Sequence, residues 1–70
     1  MTARRLVALL ARLGCEKIRQ RGSHQTWRCG NCQTVIPMHT GDLTIGTLRS
    51  IERDLEPCLG PKWLTRGRNQ

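Results

Sequence analysis

Apolar residues recur at helical spacing near the start of the chain, in residues 2–14. The residues on this stripe are Leu6, Leu9, Leu10 and Leu13. Thr2 has a side chain suited to cap the N-terminus of a helix, and Gly14 suits the position just past the C-terminus. The pattern therefore predicts an amphipathic first helix, with its arginines off the apolar stripe.

A second stretch with helical spacing covers residues 41–57. Its broad apolar stripe consists of Ile45, Leu48, Ile51 and Leu55. Either Thr44 or Thr47 could cap this helix, so its start is predicted only to within about three residues. Pro57 is expected to end it, because proline lacks the N–H group that a helix interior requires.

Between the two helices, polar and apolar positions alternate as in strands, in residues 15–21, 24–29 and 32–39. The last two segments flank Gly30-Asn31, and a two-residue loop with glycine first suits a type II′ hairpin turn. The resulting register pairs Cys29 with Cys32, Trp27 with Thr34, and His24 with Pro37. It places Trp27, Ile36 and Met38 on the core face and His24, Thr26 and Arg28 on the other face.

This order predicts one α+β domain, α-β-β-β-α, with a three-stranded antiparallel sheet and both helices on one face. Seventy residues make a single domain over 1–70. The segment "PKWL", residues 61–64, is expected to add one more helical turn, with Trp63 packing back against the rest of the domain. Residues 65–70 are expected to form a frayed basic tail.

The chain has 12 Lys and Arg against 5 Asp and Glu, a formal charge of +7, which indicates a polyanionic partner. A membrane is the weakest option, because the apolar run "LVALLA" is far shorter than the roughly 20 residues of a spanning helix. The first apolar stretch lacks a small-residue cleavage site, so no signal peptide and a cytoplasmic location are expected. With two Trp and no Phe or Tyr, an aromatic platform for RNA bases is not expected.

Basic residues alternate in the first predicted strand, where Lys17, Arg19 and Arg21 are expected to share one face of the sheet. The open face that they line is the predicted RNA-binding surface, since such cations contact phosphates without sequence preference. The expected RNA-binding residues are Lys17, Arg19, Arg21, Ser23 and Arg28. Ser23 has a second interpretation, in which its hydroxyl serves only the turn.

His24 lies directly after Gly22-Ser23 and behind this cluster of positive charge. Histidine suits proton transfer near neutral pH, and a cation beside it can hold the phosphate during RNA cleavage. On residue chemistry alone, a solvent-facing polar residue on a strand is the more common interpretation of such a histidine. His39 is a candidate second acid or base, although a structural hydrogen bond to the next loop, for example to Asp42, is the simpler interpretation.

Three segments in series, "RQRGSH", "VIPMH" and "GDLTIGTLRSIERDL", resemble the HicA toxins, the RNA-cleaving partners of HicB antitoxins. The resemblance covers about residues 3–56. It implies a fold like double-stranded-RNA-binding domains and a metal-independent endoribonuclease that cleaves mRNA. It also implies His24 as the catalytic general acid or base and an acidic HicB-like antitoxin as the neutralising partner. Alternatives are a non-catalytic RNA-binding module of the same fold and a zinc-knuckle interaction protein.

The hairpin tip Cys29-Gly30-Asn31-Cys32 has the ligand spacing of a zinc knuckle. In a reducing compartment, cysteines are expected as free thiols or metal ligands rather than disulfides. A zinc site would need two more ligands from Cys15, Cys58, His39 or a second chain. Because Cys15 is expected at the end of the sheet away from the tip, we predict two free thiols there, no zinc and no cofactor.

Overall fold

A computed structural model describes residues 1–68 as three helices and one sheet. The elements in chain order are α1 (Ala3–Arg12), β1 (Glu16–Arg21), β2 (His24–Cys29), β3 (Cys32–Pro37), α2 (Ile45–Leu59) and α3 (Trp63–Arg68). The sheet is antiparallel with strand order β1-β2-β3. The predicted α+β class and the order of elements, similar to double-stranded-RNA-binding domains, are confirmed.

One hydrophobic core joins α1 and α2 to a single face of the sheet. The helices contribute Ala3, Leu6, Leu9, Leu10, Ile51 and Leu55, and the sheet contributes Trp27, Cys29 and Ile36, with the buried polar Thr34 on the same face. Both helices therefore lie on one face, as predicted, and the other face of the sheet stays open. The outermost residue of each predicted helical stripe departs from expectation, since Leu13 is 41% exposed and Ile45 is 70% exposed.

Threonines cap both long helices, and each hydroxyl accepts a hydrogen bond from a backbone N–H three residues later. Thr2 caps α1, as predicted, and Thr44 rather than Thr47 caps α2. The prediction that Pro57 ends α2 is wrong. Pro57 lies inside the last turn, where its missing N–H leaves the earlier turns intact. The helix ends at Leu59 and is capped by Gly60, whose φ of 92° favours glycine and whose N–H donates to the Glu56 carbonyl.

Both hairpins have two-residue loops that begin with a glycine. Gly22 has a φ of 57° and Gly30 a φ of 60°, while neither loop's second residue has a positive φ. This is the backbone pattern of type II′ turns, in which only the first central residue needs positive φ. The β2–β3 register is the predicted one, including the Cys29–Cys32 pair beside the tip.

A bulge in β1 changes which basic residues share a face. Lys17 is the partner of Trp27 and Arg19 is the partner of Thr26, so Ile18 is an extra residue between them. Lys17 therefore lies on the core side of the sheet, where its Nζ donates to Gln20 at 3.2 Å. The prediction that Lys17 shares a face with Arg19 and Arg21 is wrong.

Helix α3 packs on the body through its first residue. Trp63 is buried, and its indole N–H donates to the Glu52 carbonyl at 2.8 Å. The predicted turn is thus confirmed, but it continues through Arg68, so residues 65–68 are helical rather than a frayed tail. Residues 69–70 of that predicted tail lie outside the described residues.

All four cysteines form disulfides, Cys15–Cys29 and Cys32–Cys58, so the prediction of free thiols is wrong for this form of the chain. The predicted placement of Cys15 is also wrong, for a topological reason. Because β1 and β2 are antiparallel, the start of β1 lies beside the end of β2, next to the β2–β3 tip. The end of α2 returns to the same tip.

Candidate functional site

The β1–β2 turn places His24 at an exposed corner of the open face. His24 is the first residue of β2, and its partners across the sheet are Arg21 on one side and Pro37 on the other. Residues opposite each other in an antiparallel pair project to the same face, so the Arg21 guanidinium lies on the face of His24. The imidazole is exposed and accessible to a large ligand.

His39 comes close to His24 because a backbone hydrogen bond ties two turns together. The Met38 N–H donates to the Ser23 carbonyl at 2.6 Å, which extends the β2–β3 contact past the end of β3. The two imidazole ring centres lie 6.3 Å apart, with their planes at 79°. Asp42, one of the partners considered for His39 beside a backbone carbonyl, has a carboxylate oxygen 3.5 Å from the Met1 amine.

A cavity of about 300 Å³ opens beside His39. Residues 38–41 form one wall, and the first residues of α1, including Arg4, form the other. The N–H groups of a helix's first turn lack intrahelical partners and carry partial positive charge, so this wall favours an anion. Sequence reasoning missed Arg4 as a site residue, because 35 positions separate it from His39 and only the folded chain brings them together.

The predicted RNA-binding residues do not all reach this corner. Arg19 and Arg21 lie on the open face with His24, whereas Lys17 lies on the core side. Arg28 is on the open face, but its guanidinium is bound to the Glu16 carboxylate at 2.6 Å. Ser23 belongs to the turn. The uncompensated cations of the open face are thus concentrated at the His24 end of β1.

Acidic residues lie mostly on the helical side of the molecule. Three of the five, Glu52, Asp54 and Glu56, belong to α2, and Asp54 accepts a hydrogen bond from the buried Thr34 hydroxyl at 2.9 Å. On the open face, Glu16 is neutralised by its ion pair. Eight of the twelve cations belong to the helices or to the α2–α3 connection, so the helical side is net positive as well. The open face differs in that Arg19 and Arg21 lie beside His24 without an ion-pair partner among residues 1–68, which favours a polyanion at this corner. Within residues 1–68, no helix has the length and apolar character needed to cross a membrane.

Comparison with known proteins identifies the family. The family model for the HicA toxin of bacterial toxin–antitoxin systems matches residues 3–56, well over half of the chain. The matched range contains α1, all three strands, both histidines and most of α2. No match to the chain was found among curated proteins or among solved structures. The chain belongs to the HicA toxin family of bacterial toxin–antitoxin systems.

Proposed function

We propose that this toxin is a metal-independent endoribonuclease that cleaves mRNA in the cytoplasm, with His24 as its general acid or base. The observation that carries the proposal is the approach of a second imidazole, that of His39, to within 6.3 Å of His24. Two histidines this close can contact the same phosphodiester.

The chemistry requires one group to accept a proton and another to donate one. A base removes the proton of the ribose 2′-OH, the oxygen attacks the adjacent phosphorus, and an acid protonates the leaving 5′ oxygen. Neutral imidazole can accept a proton and imidazolium can donate one, so a pair of histidines suits both roles without a metal ion. We propose His39 as the second member of this pair.

The neighbouring cations would hold the substrate and stabilise the transition state. Arg21 is directly opposite His24 in the sheet, and Arg19 follows on the same face. Arg4 and the first turn of α1 border the cavity beside His39. Donors at these positions can stabilise the extra negative charge on the phosphorus oxygens as the 2′ oxygen attacks. Arg28 and Lys17 contribute less, since one is bound to Glu16 and the other lies on the core side.

We also propose that an acidic HicB-like antitoxin neutralises the toxin by covering this face. The net charge of +7 favours an acidic partner, and Arg19 and Arg21, which have no ion-pair partner among residues 1–68, give it cations to contact beside the two histidines. Such a partner would compete with RNA for Arg19, Arg21 and the two histidines.

The decisive experiment measures cleavage of single-stranded mRNA by the purified disulfide-bonded chain in EDTA. Wild type should cut, and His24→Ala should cut roughly 10²–10⁴-fold more slowly, the range for loss of a general acid or base. His39→Ala should also reduce the rate. Gln33→Ala, an exposed polar residue on the open face of β3, is the matched control and should behave like wild type.

The outcomes separate the proposal from its alternative. Equal cutting by His24→Ala and wild type would show that His24 is not the catalytic group. If wild type binds mRNA but never cuts it, and His24→Ala binds equally well, the chain is a non-catalytic RNA-binding module.

A further inference from the structure

The four cysteines meet at one point of the fold, although they come from four different places in the chain. Cys15 precedes β1, Cys29 ends β2, Cys32 begins β3 and Cys58 lies in the last turn of α2. The Cα atoms of Cys15 and Cys29 are 4.4 Å apart, and those of Cys32 and Cys58 are 6.1 Å apart. Cys29 and Cys32 are direct partners across the hairpin, so the two disulfides are neighbours.

The contacts of Cys58 show how compact this cluster is. A Cβ atom built on Gly30, at the hairpin tip, would lie 3.6 Å from the Cys58 sulfur. The side-chain amide of Asn31 lies 3.2 Å from the same sulfur. Cys58 therefore sits against the turn that joins Cys29 to Cys32, and all four sulfurs belong to one cluster.

We infer that, when reduced, these four cysteines form a tetrathiolate site for one Zn²⁺ ion. In the disulfide-bonded form, residues 1–68 hold no group of three or more side chains arranged to bind a metal. Reduction changes the donor set, because it replaces two disulfides with four thiols at the same place. Zinc bound by four cysteines is tetrahedral, with Zn–S distances of about 2.3 Å and hence sulfurs about 3.8 Å apart.

The backbone already provides most of this geometry. Opposite residues of an antiparallel pair have Cβ atoms about 4.5–5.5 Å apart, so Cys29 and Cys32 can present two sulfurs on one face of the tip. Cys15 lies beside Cys29, and Cys58 lies beside Cys32. After reduction, rotation of the Cys15 and Cys58 side chains can move each sulfur away from its former disulfide partner, to the separation of about 3.8 Å between two ligands of one Zn²⁺ ion. After an amide flip, Asn31 can donate an N–H to the thiolate of Cys58, the kind of support that metal ligands commonly receive.

Conversion of the disulfide-bonded form into the zinc-bound form requires only a reductant and Zn²⁺. Two molecules of a dithiol supply four electrons and four protons, which convert the two disulfides into four thiols while each dithiol becomes a cyclic disulfide. Zinc binding then releases the four thiol protons, since the thiolate is the ligand. The site is about 17 Å from His24, the length of the five residue steps along β2 from His24 to Cys29, so metal binding is separable from RNA cleavage.

The test is metal titration of the reduced, full-length chain with Zn²⁺ against a chromophoric chelator, and with Co²⁺ as a spectroscopic substitute. We expect one Zn²⁺ per chain and the visible absorption of Co²⁺ in a tetrahedral thiolate site. Cys15→Ser and Cys58→Ser should each weaken zinc binding by more than about 100-fold, the upper range for loss of a supporting contact to a ligand. The double variant His24→Ala/His39→Ala, which removes both imidazoles of the chain, should bind zinc like wild type.

Three results would overturn the inference. The first is no zinc uptake by the reduced chain. The second is uptake unaffected by Cys15→Ser and Cys58→Ser, which would leave only the Cys29–Cys32 pair as ligands. The third is equal uptake by the oxidised chain, whose sulfurs are not available as thiolates. The oxidised and Co²⁺ measurements use the wild-type sequence, so the test remains decisive even if a serine variant fails to fold.

Discussion

At the scale of single residues, the site depends on which side of the sheet each cation reaches. Lys17, Arg19 and Arg21 are equally spaced in sequence, yet the bulge at Ile18 separates the first from the other two. Arg28 reaches the open face but is bound to Glu16. A count of the basic residues in β1 therefore overestimates the number of cations available to RNA. We expect Arg19 and Arg21, beside His24, to make more of the phosphate contacts than Lys17 and Arg28.

Charge removal on the two faces of the sheet should have different effects on RNA binding. Arg19→Ala/Arg21→Ala should weaken binding and lower the magnitude of the salt slope, d log Kd/d log [salt], by about 1.4, because two single-strand phosphate contacts are lost. Lys17→Ala/Arg49→Ala removes the same total charge from the core side of β1 and from α2, and it should leave the slope nearly unchanged. Titration of RNA by fluorescence anisotropy at several salt concentrations measures both. Equal slopes for the two double variants would mean that net charge, not position, governs binding.

At the scale of elements, the turns hold the two histidines together. Gly22 starts the β1–β2 turn with a φ of 57°, and Ser23, the next residue, accepts the backbone hydrogen bond from Met38. The His24–His39 pair is therefore a product of backbone geometry. Neither ring needs a side-chain hydrogen bond to the other for this placement.

Gly22→Ala should destabilise the oxidised chain by about 1–2 kcal/mol, the cost of a side chain in the left-handed region. Beyond Gly22 and its two chain neighbours, no heavy atom lies within 4 Å of the added Cβ, so the cost comes from the backbone conformation alone. Gly46→Ala is the control, since Gly46 lies in the first turn of α2 without positive φ and also faces open space. It should be neutral or stabilising by up to about 1 kcal/mol. Urea denaturation of both variants tests this, and a Gly22→Ala chain as stable as wild type would contradict the turn geometry.

At the scale of the whole molecule, the cross-links join every layer of a small domain. Cys15–Cys29 links the α1–β1 connection to β2, and Cys32–Cys58 links β3 to the end of α2. A single core in a chain of this length supplies only about 3–5 kcal/mol of net stability. The cysteine cluster therefore accounts for a large part of what keeps the chain folded.

Reduction without metal should unfold much of the population. In the chain-entropy account, cross-links spanning 14 and 26 residues each contribute about 3 kcal/mol, so their joint loss matches or exceeds the contribution of the core. Circular dichroism during thermal unfolding, in reductant plus EDTA against EDTA alone, measures the effect. An unchanged unfolding midpoint in reductant would show that the core alone suffices. This prediction concerns the loss of cross-links and holds whether or not the reduced chain binds zinc.

Features with local causes could be predicted from the sequence. Gly30-Asn31 specifies its own turn, so the register of β2 and β3, including the Cys29–Cys32 pair, follows from the turn type. Thr2 specifies the start of α1 for the same reason, whereas Thr44 and Thr47 both suited the start of α2 and only the structure selects Thr44. The apolar stripes of α1 and α2 then leave one sheet face open, and His24 falls on it by alternation.

Features that depend on contacts between distant segments could not be predicted in this way. The alternation of residues in β1 does not reveal the bulge at Ile18, because the same sequence pattern also fits a regular strand. The approach of His39 to His24 requires the Met38–Ser23 hydrogen bond, which joins segments 15 residues apart. Gathering Cys15 and Cys58 at one tip depends on the path of the whole chain.

The order of the two disulfides divides the covalent structure into two closed rings. One ring spans residues 15–29 and the other spans residues 32–58, and they are joined only through the dipeptide Gly30-Asn31. His24 lies in the first ring and His39 in the second. A single cut of the dipeptide would therefore give two fragments with no covalent link, each carrying one histidine. In the oxidised form, the proposed active site would then exist only as a non-covalent heterodimer, with β2 of one fragment paired to β3 of the other.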